Sequence, residues 1–207
     1  SHNPPEYNGY KVYWQDGGQL VPPQDSEIVA EIESLDYDAV NFSAKKEHIT
    51  YIDKDVDQAF IEASLKNGSF AELDKHRDDV TIVFTPLHGT SVTIIPEVLE
   101  GAGYKNVHIV EEQRTPNGNF PTVKSPNPEE PEALKMALEL AEEKNADIVI
   151  GTDPDCDRLG IAVRNNEGKL QLLNGNQTMV VMTDFLLDLY FSKNKAKGNE
   201  FIGSTIV

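Results

Sequence analysis

The sequence predicts an α/β protein made of three-layer α/β/α sandwich domains around mixed, mainly parallel sheets. Val80-Thr81-Ile82-Val83-Phe84 and Ile148-Val149-Ile150 are apolar runs that do not alternate with polar residues, the pattern of strands buried on both faces. Segments of helical period lie between them. The order from residue 80 onward is therefore β-α-β-α-β, and right-handed crossovers would cover a parallel sheet with helices and gather the loops at the carboxyl ends of its strands.

Taken in order, Tyr10 to Trp14 read as a strand, Asp16-Gly17-Gly18 as a turn, and Gln19 to Val21 as the returning strand of a hairpin. Pro22-Pro23 stops that hairpin. Ser26 is a candidate cap for a helix that places Ile28, Val29 and Ile32 on one face and ends near Leu35. Ile49 to Ile52 is a short strand-like link. Asp53 to Lys66 is helical and Asn67-Gly68 ends it, so a domain boundary falls near residues 48 to 55. After the strand at Val80 come a helix near Thr90 to Ala102, a strand at Val107 to Val110, and a helix opened by Pro131. That helix aligns Ala133, Met136, Ala137, Leu140 and Ala141 at i, i+3, i+4, i+7 and i+8. Arg158 to Val163 and Lys169 to Leu173 form a hairpin around Asn165-Asn166-Glu167-Gly168. A helix from Asn176 to Phe191 and a strand at Phe201 to Val207 begin a further α/β unit. The proline-rich stretch from Thr115 to Pro131 is the one long loop, a kind of segment that is more often functional or flexible than incidental.

Composition excludes several classes. Of 207 residues 35 are acidic and 18 basic, a formal charge of −17, and the basic residues do not cluster. Phosphate backbones and anionic lipid would repel such a chain, so neither nucleic acid nor membrane is an expected partner. The apolar runs are far short of a membrane span. One cysteine, Cys156, rules out an internal disulfide framework, and Ser1-His2-Asn3-Pro4-Pro5 has neither the basic nor the apolar region of a signal peptide. A cytoplasmic protein is expected. Because the first residues read as the middle of a loop without an initiator Met, the chain is expected to be a fragment.

The chemistry concentrates after the third buried strand, in Gly151-Thr152-Asp153-Pro154-Asp155-Cys156-Asp157-Arg158. If the backbone stays extended there, Asp153, Asp155 and Asp157 project to one side where strand-end loops hold ligands. Two carboxylates about 4 Å apart repel by roughly 4 kcal/mol at an effective dielectric near 20, so three of them call for a cation or shifted pKa values. An all-oxygen set favours Mg²⁺ or Ca²⁺ over zinc, and Cys156, pointing the other way, would not ligate. An EF-hand is excluded, because its sixth position would be Arg158 in place of Gly and its twelfth Arg164 in place of Glu. A solvated acidic turn is the alternative. Arg158, directly after the carboxylates, can fork onto a phosphate or pair back with an aspartate. Ser1 is a second candidate, since a serine becomes a nucleophile when a neighbour such as His2 or Lys11 takes its proton.

Ser1-His2-Asn3-Pro4-Pro5-Glu6-Tyr7-Asn8-Gly9-Tyr10-Lys11 resembles the phosphoserine loop of the α-D-phosphohexomutases, and Gly151 to Arg158 resembles their metal loop. Tyr10 to Trp14, Thr85-Pro86-Leu87-His88-Gly89-Thr90 and Pro121 to Glu129 look most like the phosphoglucomutase branch that also holds phosphopentomutases. The resemblance spans the whole chain. It implies the C-terminal part of domain 1 at residues 1–48, domain 2 at 49–173 and the start of domain 3 at 174–207. It further implies that Ser1 carries the transferred phosphoryl group, that Asp153, Asp155 and Asp157 bind Mg²⁺, that Arg158 contacts the phosphoserine, that Lys11 is a general acid or base, and that His2 lines the site. The implied cofactors are Mg²⁺ and a sugar 1,6-bisphosphate of the glucose 1,6-bisphosphate type, and the implied partners are a sugar phosphate substrate and the remaining domains of a longer chain. The implied activity is phosphoglucomutase/phosphomannomutase-type isomerisation, with phosphopentomutase and phosphoglucosamine mutase as alternatives and a non-catalytic divalent-metal module as the reading from another class. The family's sugar-recognition and distal-phosphate loops would lie beyond Val207, so this stretch alone is expected to be inactive.

Overall fold

In the computed structural model, which describes residues 3, 6, 7, 11–43, 45–68 and 76–203, the apolar run after residue 80 becomes strand β1 (Thr81–Thr85) and the second buried run becomes β3 (Ile148–Thr152). Between them lie β2 (Asn106–Ile109) and, after β3, the strands β4 (Leu159–Arg164) and β5 (Leu170–Leu173). They form one mixed sheet in the order β2-β1-β3-β4-β5. β1 runs parallel to both β2 and β3, whereas β3, β4 and β5 are successively antiparallel. The α/β expectation and its mixed sheet therefore hold, and β1 and β3 sit in the interior as their unbroken apolar runs require. Val83, Phe84 and Val149 are fully buried, each contributing about 1.5–3 kcal/mol relative to an exposed side chain.

Backbone contacts divide the chain into a unit of Glu6–Phe60 and a larger one that holds everything from Ile61 onward. In the smaller unit the described residues of the expected hairpin show one antiparallel bridge, Tyr13 with Gln19, with Trp14 N–H bonded to Gly18 O at 2.9 Å, and Tyr10 lies outside the described residues. Helix α1 (Gln24–Ser34) starts two residues before Ser26. Ser26 is thus no cap. Its hydroxyl donates to Asp25 Oδ1, and Pro23 occupies the cap position without a side-chain bond. Ile49 to Ile52 pairs with no described strand. Helix α2 (Lys54–Asn67) follows.

In the larger unit the helix expected at Thr90 to Ala102 is broken. Thr90–Thr93 form a 3₁₀ turn and only Ile95–Gly101 is α-helix, α3. Pro96 has no N–H, so a continuous helix through residue 92 would lack a rung there. The helix expected from Pro131 starts later, as α4 (Lys135–Glu143), because residues 127–134 are spent on turns such as Glu130 N–H to Asn127 O. Its periodicity is nonetheless right. Ala137 and Ala141 are fully buried against Val83, Val110, Val149 and Ala162, with Met136 and Leu140 partly buried at the rim. The last helix, α5 (Gly175–Lys193), opens on a capping box in which Asn174 Oδ1 accepts from Gln177 N–H and Gln177 Oε1 from Asn174 N–H. The expected terminal strand is not seen at residues 201–203, and 204–207 lie outside the described residues. No helix among the described residues is long and apolar enough to cross a membrane.

Candidate metal centre

β3 and β4 are adjacent and antiparallel, with Thr152 opposite Leu159, so the six residues between them must reverse the chain. The extended run expected from the sequence cannot do this. Instead Asp153 to Cys156 close a turn, with Cys156 N–H bonded to Asp153 O at 3.0 Å, Pro154 at the position where its fixed φ fits, and Cys156 in the left-handed region at φ 60°. The three carboxylates still converge, by folding back and not by strand alternation. Ligand oxygens of Asp153, Asp155 and Asp157 all lie within 4.8 Å of one another.

The three are not equivalent. Asp155 and Asp157 are exposed, whereas Asp153 is fully buried. Its Oδ1 accepts the backbone N–H groups of Asp157 and Arg158, both at 3.0 Å, and so locks the far side of the turn. Its Oδ2 is buried with no hydrogen-bond partner. Burial, then the close Asp155 carboxyl, push its pKa up to about 6, against the lowering effect of the Arg158 N–H. A buried, unpartnered carboxylate oxygen within a cluster of three carboxylates is costly unless a proton or a cation accompanies it. The residues fit a hard divalent ion. The Cys156 thiol is pushed up, by desolvation first and the Asp153 charge next, so it remains a neutral thiol and a poor ligand.

The loop after β1 holds this turn. Leu87 and His88 both have positive φ, 46° and 60°, an arrangement that costs about 1–2 kcal/mol per residue and persists only where neighbours over-determine it. They do. Leu87 N–H donates to Thr85 Oγ1 at 3.2 Å, His88 N–H to Gln113 O at 2.9 Å and Asn117 N–H to His88 O at 3.0 Å. Beneath lies a side-chain network. Thr85 Oγ1 donates to Gln113 Oε1 at 2.6 Å, Gln113 Nε2 to Thr122 Oγ1 at 3.0 Å, and His88 meets Thr122 Oγ1 through Nε2 at 2.9 Å. His88 Nδ1 faces the Thr115 carbonyl at 3.2 Å, so this nitrogen carries the proton. The network ties the start of the proline-rich loop to the end of β1. Beyond it, Gly89 and Thr90 abut Pro154, and Ser91 Oγ lies 2.6 Å from Thr152 Oγ1.

Of the other residues singled out from sequence, Arg158 is exposed with its backbone anchored to Asp153. Lys11 is exposed, in an irregular segment of the smaller unit. Ser1 and His2 lie outside the described residues. Sequence reasoning used Thr85 to Thr90 for the resemblance alone and assigned none of them a place at the site. No periodic pattern marks them, since Thr90 reaches Pro154 across 64 positions of chain.

Two family models match the chain, the phosphoglucomutase/phosphomannomutase alpha/beta/alpha domain II over residues 58–168 and domain I of the same family over residues 1–39. The chain is 37% identical over 196 residues to a protein of Haemophilus influenzae named "Probable phosphomannomutase", covering 93% of this chain and 39% of that one. It is 38% identical over 186 residues to a phosphoglucomutase of Staphylococcus aureus, covering 89% of this chain and 34% of the relative. A solved structure of a phosphoglucomutase/phosphomannomutase family protein from Burkholderia thailandensis superposes with a TM-score of 0.65 at 22% identity, over 90% of this chain and 36% of that one. The chain thus spans little more than a third of the length of the proteins it resembles.

Proposed function

Because this chain belongs to the phosphoglucomutase/phosphomannomutase family, we propose that it is the part of a phosphohexomutase that carries the phosphoryl donor and holds the metal beside it. The division into residues 1–48, 49–173 and 174–207 belongs to the same proposal. The observation that carries it is the buried, unpartnered Oδ2 of Asp153 within a turn whose three carboxylates lie within 4.8 Å of one another.

In this reading Asp153, Asp155 and Asp157 hold Mg²⁺. The ion supplies neutralisation of charge at the phosphoserine. Ser1 carries the phosphoryl group. A hydroxyl of a sugar monophosphate attacks the phosphorus, its bond to the serine oxygen breaks, and a sugar 1,6-bisphosphate results. After the bisphosphate reorients, the second half-reaction returns the other phosphoryl group to Ser1, so that 1-phosphate and 6-phosphate interconvert. Lys11, as general base and then general acid, takes the proton of the attacking hydroxyl and gives it back to the serine oxygen as that oxygen leaves. Arg158 forks onto phosphoserine oxygens, and His2 lines the site.

The test is the full-length protein with Mg²⁺, sugar bisphosphate and a panel of glucose, mannose, ribose and glucosamine phosphates. Turnover on the hexose phosphates, with phosphate found on Ser1 by peptide mass spectrometry, is expected. Metal binding without phosphate on Ser1 and without turnover on any sugar would replace the enzyme by a metal-binding module, and preference for ribose or glucosamine phosphate would move the substrate.

A further inference from the structure

We propose, resting on the mutase reading above, that His88 is a positioning residue for phosphoryl transfer, whose imidazole pins both ends of the loop at residues 115–122 and fixes that loop as a wall beside the acidic turn. One ring holds the loop at its neck. Nδ1–H donates to Thr115 O at 3.2 Å, and Nε2 accepts from the Thr122 hydroxyl at 2.9 Å. The backbone of the same residue takes a third point, where Asn117 N–H donates to His88 O at 3.0 Å. A run of eight residues whose ends meet on a single side chain is an Ω-loop, a kind of segment that is frequently functional. Within it Asn117 Oδ1 accepts from Asn119 N–H and Asn117 O from Phe120 N–H, so the loop has a shape of its own once its ends are pinned.

One proton arrangement satisfies these bonds. A carbonyl accepts and never donates, so Thr115 O places the ring proton on Nδ1 and leaves Nε2 an acceptor. Gln113 Nε2–H donates to Thr122 Oγ1 at 3.0 Å, and the Thr122 hydroxyl keeps its own hydrogen to give to His88 Nε2. The ring is buried, and the residue is held at φ 60°, a backbone conformation that persists in a histidine where its surroundings over-determine it. That strain sits where the loops meet. Gly89, the next residue, is in backbone contact with Pro154, between Asp153 and Asp155. Contacts therefore run without a gap from Asn117 to His88 and from Gly89 to Pro154, and a displaced loop is felt at the acidic turn. A misplacement of about 1 Å that originates away from the chemistry can lower a rate about 10²-fold.

Two variants release one end of the loop each by a different partner. Thr122 is exposed, so Thr122→Val removes its hydroxyl with little risk to the fold. His88→Asn tolerates the left-handed backbone and removes the acceptor at Nε2. Hydrogen exchange of the purified protein reads the pin without catalysis. Both variants are expected to exchange the Asn117, Phe120 and Val123 amides about tenfold faster, with β1 and β3 amides unchanged and Thr122→Ser near wild type. Ring ¹⁵N shifts, assigned to His88 by their loss in His88→Asn, should report the proton on Nδ1. In the full-length enzyme, assayed well below its denaturation midpoint, both variants should lower kcat about tenfold or more and change KM less than about threefold, because the loop acts on the acidic turn and not on the sugar. A role in folding alone would lower the midpoint and leave kcat untouched. That result, a ring proton on Nε2, or unchanged exchange in Thr122→Val would overturn the proposal. If His88→Asn does not fold, Thr122→Val against Thr122→Ser is read by the same criteria. Full-length wild type without turnover would bring down the mutase reading and the role in transfer with it, whereas the exchange rates decide the pin independently.

Discussion

Gly89 and Pro154 are in backbone-to-backbone contact. A Cβ on Gly89 would sit 2.6 Å from Pro154 O and 2.8 Å from its carbonyl carbon, and closer still to its Cα. The φ of Gly89, −105°, is open to any residue. Space alone demands glycine. The loop after β1 and the acidic turn are therefore one packed unit, and a change in the first must displace the second.

Gly89→Ala is accordingly expected to push the turn off its anchors. Overpacking of this kind costs about 1–3 kcal/mol, or about 2–4 °C of melting temperature per kcal/mol in a chain of this size. Mg²⁺ affinity should fall as well, because the displaced Pro154 lies between Asp153 and Asp155. Thermal denaturation with and without Mg²⁺ reads both effects, and an alanine variant matching wild type in each would show that the contact yields freely.

Asp153 makes the protein's response to pH predictable in sign. Its pKa rises from about 3.9 in an unfolded chain to about 6 in the fold. The folded state therefore binds the proton more tightly, its contribution to stability is complete below about pH 4, and it is lost as pH rises through about 6. At about 1.4 kcal/mol per pH unit that gap corresponds to roughly 3 kcal/mol. Mg²⁺ competes with the same proton, so its affinity should drop about tenfold per pH unit below 6. The rise in melting temperature on adding Mg²⁺ should be large at pH 8 and small at pH 5. Asp153→Asn keeps an oxygen for the two N–H groups without the charge, and should abolish both the Mg²⁺ effect and its pH dependence while the metal-free protein is at least as stable as wild type at pH 8. Identical Mg²⁺ responses at the two pH values would refute the assignment.

Thr85 lies under the loop that carries His88 and Gly89, fully buried, with its hydroxyl donating to Gln113 Oε1 and accepting from Leu87 N–H. Thr85→Val is nearly isosteric and leaves both partners buried and unsatisfied. A cost of about 1–3 kcal/mol is expected, read as a lowered denaturation midpoint. A midpoint within error of wild type would mean that water or a shifted Gln113 restores the bonds.

How much of this was legible in the sequence follows the range of the forces involved. The unbroken apolar runs at Val80 and Ile148 and the helical period through Ala137 and Ala141 record burial directly, and the sheet and the α4 packing followed from them. The convergence of Asp153, Asp155 and Asp157 was also legible, although for an incomplete reason. Alternation along an extended chain predicts it, and the molecule achieves it by a turn that Pro154 and the antiparallel β3–β4 pairing impose. The break at Thr93–Ile95 was readable in Pro96, whose missing N–H leaves residue 92 without a helical partner. Hidden altogether was the Gly89–Thr90 contact with Pro154, because it joins two loops more than sixty residues apart and leaves no periodic trace.

Arg158 offers a separation that the aspartates do not. Its backbone N–H helps hold Asp153 Oδ1, while its guanidinium is exposed and takes no part in that bond. Any residue at 158 other than proline supplies the N–H, so Arg158→Ala and Arg158→Lys should leave Mg²⁺ affinity within a few-fold of wild type. Phosphoryl transfer by the full-length protein should respond differently. A guanidinium presents two parallel donors to two phosphate oxygens, an ammonium presents a point charge, and a methyl presents neither. Loss of a charge-stabilising donor typically lowers kcat by about 10²–10³-fold. Alanine should therefore fall in that range and lysine between it and wild type, with Mg²⁺ titrations unchanged across the three. Should all three proteins transfer phosphate at one rate, Arg158 holds no phosphate; should Mg²⁺ affinity collapse together with the rate, its role is to build the turn.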